Sequence, residues 1–399
     1  MAECVPIDQT SGIRPSGRTG RIAALDHLRG CVIVLVVLHH AVLAYCRFGH
    51  LDRRHYLLST APVVDVDRWI GFDILVLLND SFFMPMMFLL SGLFVWRGLT
   101  RRGARRYLGE RLLRLGLPFV VGALILTPLA YYPSWRLTGS TEGFVSFWSD
   151  MLVSGPWPSG PGWFIGVLML FDGLAALTFR MTSGRVLTAG MRWQSGAGFA
   201  ALVGLSAVCY LPSLALFGPG PWISFGPFAV QTSRFGLYGL YFAVGVCCGA
   251  AALRDGSAVS GEGLARHWAR WAVVAVLAGV VLIGVEVARL RAGSAMPRGV
   301  SLGSYGVALV VFCAAACLAL VAGFARFSGR AGRVWDGLAA NAYGIYLLHY
   351  PIVTWAQYGL TQVALGAVVK AAMVFAAALG LSWLMVSVMR RIPGVARVV

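Results

Sequence analysis

Charge is scarce in this 399-residue chain. Only 12% of its residues are charged and 58% are hydrophobic, whereas a soluble domain carries ~25% charge. That deficit excludes an ordinary soluble fold. Lysine is almost missing: Lys370 stands alone, and the remaining basic residues are arginine. Acids are outnumbered 16 to 33, leaving a net charge of +17. In a soluble protein that excess would suggest nucleic acid. Here the arginines lie mainly between apolar runs, where they set topology and meet anionic lipid headgroups, so no nucleic-acid partner is expected. Metal-ligand spacing is also missing. Seven of the eight cysteines sit in or beside apolar runs, and Cys4 is in the N-terminal tail. Cys313 and Cys317 share a helix face with no histidine or acid nearby in sequence, and Cys247-Cys248 is simply adjacent. Small apolar packing residues explain them, and no metal site is expected. No serine stands in a nucleophile-elbow setting, which disfavours a serine triad. No internal repeat of the transporter kind is visible. The first twenty residues lack an apolar core and a small-residue cleavage site, so the first span is expected to act as an uncleaved insertion signal.

What the chain has in abundance is long apolar runs. Ten membrane spans are predicted, near 23–45, 70–96, 113–131, 162–179, 197–217, 232–253, 268–289, 302–325, 338–358 and 363–389. The fold class is all-α, a polytopic transmembrane helix bundle. Its domain organisation reads as a polar tail (1–20), one transmembrane domain (21–392) and a short C-terminal tail (393–399). Arginine alternates between loops. Arg97, Arg101, Arg102, Arg105, Arg106 and Arg111 fill one; Arg180, Arg185 and Arg192, then Arg254, Arg266 and Arg270, then Arg326, Arg330 and Arg333 fill the others on that side, with Arg390 and Arg391 at the end. The opposite loops are poorer, notably 132–161 and 218–231, while 46–69 and 290–301 are mixed. The positive-inside rule then places both termini in the cytoplasm.

Several spans carry polar groups, which are costly in a bilayer and therefore point to a function or a partner. In the first, Arg29 and His40 are eleven residues apart. At ~100° per residue they end ~20° from one another, on one face, ~16 Å apart along the axis. The second span has Asn79, Asp80 and Ser81 near mid-membrane, with Pro85 and the Ser91-Gly92 pair beyond. Asp80 needs a partner, and His40 or Arg29 is expected because consecutive spans often pack together; a structural hydrogen-bond knot is the plainer account. Arg111 and Arg114 precede the third span, either as topology anchors or as an anion site. Trp163 opens the fourth, with Asp172 in mid-span. Glu286 has Arg289 and Arg291 nearby, which a surface ion pair explains. The ninth span spaces Tyr343, Tyr346 and His349 by three and places Pro351 just beyond. His349 is either a proton shuttle or polar-ligand group, or a structural hydrogen-bonded histidine. The Trp/Pro/Gly-rich loop 132–162 either re-enters to cap a cavity or forms an interfacial aromatic belt.

Together these segments resemble the acyltransferase-3 family of integral membrane acyltransferases. The likeness rests on LDHLRGCVIVLVVLHHA, NDSFFMPMMFLLSGLFVW, RLLRLGLPF, GPGWFIGVLMLF and NAYGIYLLHYPI, in the family's order over nearly the whole chain. RLLRLGLPF, IYLLHYP and the terminal RRIPGV look most like the branch that succinylates periplasmic glucans. The resemblance implies a multi-pass inner-membrane enzyme that moves an acyl group, often acetyl or succinyl, from cytoplasmic acyl-CoA to a hydroxyl of an envelope glycan, lipid or small molecule. Acyl-CoA would be a co-substrate, and no bound cofactor is implied. The family's first-helix arginine and histidine correspond to Arg29 and His40, with His39 out of register. Its arginine pair corresponds to Arg111 and Arg114, and its late tyrosine-histidine segment to Tyr346 and His349. No fused hydrolase-like domain, which some relatives carry, is expected at the C-terminus.

The residue chemistry fits that expectation. Arg29, Arg111 and Arg114 would bind the phosphates of CoA. His40 would act as general base toward an acceptor hydroxyl, with Asp80 holding its tautomer and His349 as a second catalytic imidazole; a transient acyl-histidine is a variant. Trp163, Tyr343 and Tyr346 would line the substrate. The alternative reading is a proton-coupled exporter of a glycan or metabolite that relays protons through buried His, Asp and Arg.

Overall fold

Helices make up most of the computed structural model, which describes residues 16–155, 157–158, 160–185, 195–254, 261–328 and 332–397. Most of the polar N-terminal tail, including Cys4, lies outside the described residues, as do Arg192 and Arg330. In chain order the helices are α1 (Ser16–Leu43), α2 (Ile70–Gly92), α3 (Val95–Arg102), α4 (Ala104–Arg111), α5 (Leu117–Val121), α6 (Thr127–Leu137), α7 (Phe144–Ser154), α8 (Trp163–Met181), α9 (Gly196–Phe217), α10 (Phe235–Arg254), α11 (Gly261–Arg266), α12 (Trp268–Ala292), α13 (Arg298–Phe327), α14 (Arg333–Leu360) and α15 (Ala367–Met389). Between α9 and α10 lies one antiparallel hairpin, β1 (Trp222–Phe225) and β2 (Phe228–Gln231), in register Trp222 to Gln231.

Among the described residues nine helical runs are long and apolar enough to cross a membrane. They match nine of the ten predicted spans. The tenth, 338–358, lies within α14, which is long enough (~42 Å) but carries Asn341, Tyr346, His349, Tyr350 and Gln357 on its buried side. Those polar groups lower its mean hydropathy. Its contacts nevertheless place it among the spans. Arg390, at the end of α15, donates to Ala340 O (2.7 Å) near the start of α14, so the two helices run antiparallel along each other.

The third span is longer than predicted, running from Ala104 to Leu137, because α4, α5 and α6 are joined by two π-helical turns, Leu112–Gly116 and Gly122–Leu126. Each turn is followed by a proline, Pro118 and Pro128, with Pro133 a turn later. Proline has no N–H and pushes away the carbonyl four residues earlier, and wide turns of this kind absorb the misfit. The carbonyls so released are taken by side chains. Tyr343 OH donates to Arg114 O (2.8 Å), Trp148 Nε1 to Leu124 O (2.8 Å) and Trp355 Nε1 to Leu129 O (2.9 Å). Each acceptor stands four residues before a proline. The sequence of this run thus releases three backbone acceptors, two of which hook it to α14 and one to α7.

Glycine sets the approach of α2 to α10. A Cβ on Gly92 would lie 2.3 Å from Phe242 O, and one on Gly245 would lie 2.2 Å from Leu89 O. The two backbones touch, the geometry that small residues permit in membranes.

Candidate active site

The centre of the site is where α1 meets α14. Gly30 on α1 abuts Ala339 on α14, where an added Cβ would be 3.2 Å from the Ala339 nitrogen. From that crossing the two helices run side by side toward His40 and His349. The last carbonyls of α1, which have no partner within the helix, are accounted for. Gln357 Nε2 donates to His40 O (2.9 Å) and Ala41 O (3.1 Å), and the Tyr45 N–H donates to Val42 O. The end of α1 is therefore fixed to α14 at His40 itself.

His349 is fully buried. Its Nδ1 lies 2.7 Å from Tyr346 O and 3.3 Å from Ile345 O, and its Nε2 lies 3.2 Å from His40 Nδ1. His40 Nδ1 is also 2.9 Å from Val36 O. Carbonyls only accept, so Nδ1 of each neutral ring carries its hydrogen. His349 Nε2 then has a lone pair that accepts from His40 Nδ1–H, a proton shared with Val36 O. His40 Nε2 keeps a free lone pair, with no hydrogen-bond partner among the described residues. Tyr350 stands edge-on to His40 with ring centroids 5.0 Å apart.

Tyr346 OH donates to Pro161 O. The end of the loop before α8 therefore reaches α14 one turn before His349. Gly160 makes that approach possible: its φ of +45° suits glycine, and a Cβ there would crowd Thr127 Oγ1 at 3.1 Å. Tyr346, Tyr350, Pro161, Thr127 and Ile165 line a narrow cleft beside the histidine pair. Trp163 faces elsewhere, in an aromatic cluster with Tyr238 and Trp222, each at 5.4 Å between centroids.

Asp80 does not meet His40 or Arg29. Its carboxylate pairs with Arg234 (Nη1 to Oδ2, 2.7 Å), and the same guanidinium donates to its backbone oxygen at 2.7 Å. Arg234 is 4% exposed. It precedes α10, 154 residues from Asp80, a separation that periodicity does not bridge, and its only mark in the sequence is a lone arginine at the head of an apolar run. His39 turns away from the site and stacks on Phe83 at 5.1 Å. The side chain that meets His40 Nδ1 is His349, not the Asp80 expected there.

The three expected donor-binding arginines differ in their surroundings. Arg29 pairs with Asp26 (Nη2 to Oδ1, 3.1 Å) on its own helix. Arg111 is no free cation: its Nε lies 3.2 Å from Asp172 Oδ2 and donates to Tyr107 OH (3.0 Å), whose own hydrogen goes to Asp172 Oδ1 at 2.6 Å. Asp172, fully buried, thereby has its partners. Arg114 is exposed on the first π turn. Tyr343, bonded to its carbonyl, lies within electrostatic reach of both Arg111 and Arg114. Glu286 and Arg289 form the expected local pair.

No curated protein and no solved structure matches the chain. The acyltransferase-3 family, described as an acyltransferase domain, matches residues 22–387, almost the full length and every segment that builds the histidine pair, and the protein is thus a membrane acyltransferase belonging to that family.

Proposed function

We propose that the protein is an inner-membrane O-acyltransferase that moves an acyl group from acyl-CoA to a hydroxyl of an envelope glycan, lipid or small molecule, with His40 as general base. The observation that carries this reading is the ordered imidazole pair. Backbone carbonyls fix both tautomers, and the one nitrogen left free to accept a proton is His40 Nε2. An acceptor hydroxyl placed there gives its proton to Nε2 as its oxygen attacks the thioester carbonyl. The C–O bond forms, the C–S bond breaks, and the proton passes on to the departing thiolate. The positive charge that appears on His40 meanwhile is met by His349 Nε2 and Val36 O at its Nδ1–H. His349 thus stands where an acid stands in a serine triad, orienting the base without taking its proton. Arg114 and Arg29 would line the donor's approach from the other end of α1, and Tyr346 and Tyr350 would flank the acceptor.

The test is CoA release from acetyl-, succinyl- and longer acyl-CoA by the purified protein in nanodiscs, with candidate polyol acceptors. His40→Ala is expected to lower turnover 10²–10⁴-fold, the usual weight of a general base, with donor binding retained. Full turnover by folded His40→Ala protein would remove the assignment.

A further inference from the structure

Beyond the histidine site, the described surface holds a second, strongly charged cavity. Where α3 breaks into α4 at Gly103, the end of α8 comes alongside, and the gap is an open cleft of about 780 Å³ lined by Arg102, Arg105, Arg106, Arg180 and Ser183. That volume is within the range of small-molecule sites. The charges are unbalanced. Arg102 and Arg106 share a single acid, Glu110 (Arg106 Nε to Oε1, 3.2 Å). Arg105 and Arg180 are exposed and make no ion pair among the described residues. Four guanidinium groups with one carboxylate leave a net charge of about three positive units, a pattern that phosphate oxygens fit and that arginine's forked donors favour. The backbone is shaped for it: Gly103 has φ +73°, and Ser183, at φ +49°, is the one non-glycine residue among those described with a left-handed backbone.

The cleft also stands at a fitting distance from the chemistry. From Arg106 to Arg114 the helical run rises ~12 Å, and from Tyr343, bonded to Arg114, to His349 α14 rises ~9 Å. The two steps make a path of roughly 20 Å from a charged surface site to the histidine pair. Nucleotide phosphates cannot enter an apolar bundle, whereas a thin, neutral thioester arm can. Resting on the acyl-CoA reading above, we infer that this cleft seats the phosphates of the donor's nucleotide and leaves the pantetheine arm to run past Arg111 and Arg114 toward His40.

The experiment titrates adenosine 3′,5′-bisphosphate into full-length protein in nanodiscs of phosphatidylcholine, then of phosphatidylcholine with phosphatidylglycerol. Wild type is compared with an Arg105→Gln, Arg180→Gln double variant, whose substitutions touch no ion pair. The expected result is saturable binding in neutral discs that weakens about tenfold for each arginine removed, and a raised KM for acyl-CoA at unchanged kcat. Equal affinity in wild type and variant, or no nucleotide binding in neutral discs, overturns the inference. So does a cleft dependence seen only for phosphatidylglycerol, which assigns these arginines to lipid headgroups. His40-dependent CoA release with an unaltered KM in the double variant would remove the cleft and leave the acyl-CoA reading standing. Nucleotide binding that depends on Arg105 and Arg180 without any His40-dependent turnover would keep the cleft and remove the assigned chemistry.

Discussion

At the scale of single residues, His349 and Asp172 allow opposite predictions. His349 holds another ring in place, so His349→Gln, whose amide can still accept from His40 Nδ1–H, is expected to retain much more turnover than His349→Phe, with KM for the donor unchanged in both. Steady-state kinetics of the two variants checks this; equal loss in both would mean that His349 acts only through packing. Asp172 serves structure. Asp172→Ala removes the buried acid that Arg111 and Tyr107 share; because Arg111 is only partly buried, the cost is expected at the low end of the buried-pair range, about 3 kcal/mol. The expected outcome is a lower thermal midpoint in detergent, read by tryptophan fluorescence. That His40, Asp80, Asp172 and His349 need partners was legible in the sequence, because each is polar in an apolar run. Whom they meet was not. His40 and His349 are 309 positions apart and Asp80 and Arg234 are 154 apart, and helical periodicity fixes a side chain's direction on its own helix without naming the helix it faces.

Helices give a second scale. Proline was readable as an interruption near Pro118, but its consequence was not, because the released carbonyl is satisfied by a donor from a distant helix. Tyr343→Phe, Trp148→Phe and Trp355→Phe each remove one such donor. Each is expected to cost about 0.5–1.5 kcal/mol, and the three losses should add, since they act at separate points of the run. Denaturation of single and triple variants in mixed micelles checks the sum. The crossing of α2 with α10 is less forgiving. Gly245→Leu would drive a side chain into Leu89 O, and we expect it to separate the two helices and abolish accumulation in the membrane, whereas the same change at Gly284, which has open space around it, should be tolerated.

Across the whole molecule, the expectation that consecutive spans pack together holds only in part. α1 does contact α2, since Asn79 Nδ2 donates to Leu35 O at 3.0 Å, yet the partner that completes the site is α14. α14 is also a span whose polar side chains lower its hydropathy, and two of them, His349 and Gln357, meet α1. The opposite end of α15 is fixed by the chain's single lysine. Lys370 Nζ lies 3.0 Å from Asp65 Oδ1 and 2.9 Å from Asp67 Oδ2, which ties the 46–69 loop to the bundle. Lys370→Ala should destabilise by about 3–5 kcal/mol, and Lys370→Met combined with Asp65→Leu should recover most of it; thermal melts of both variants decide. That lysine, 0% exposed, has one more consequence. Thioesters slowly acylate free amines, and an enzyme that concentrates them exposes its own lysines to that damage. Here the only side-chain amine is sealed against two acids, so with the thioester donor proposed above the folded protein would offer no lysine to modify, and an amine-directed dye will mark Lys370 only as the bundle comes apart.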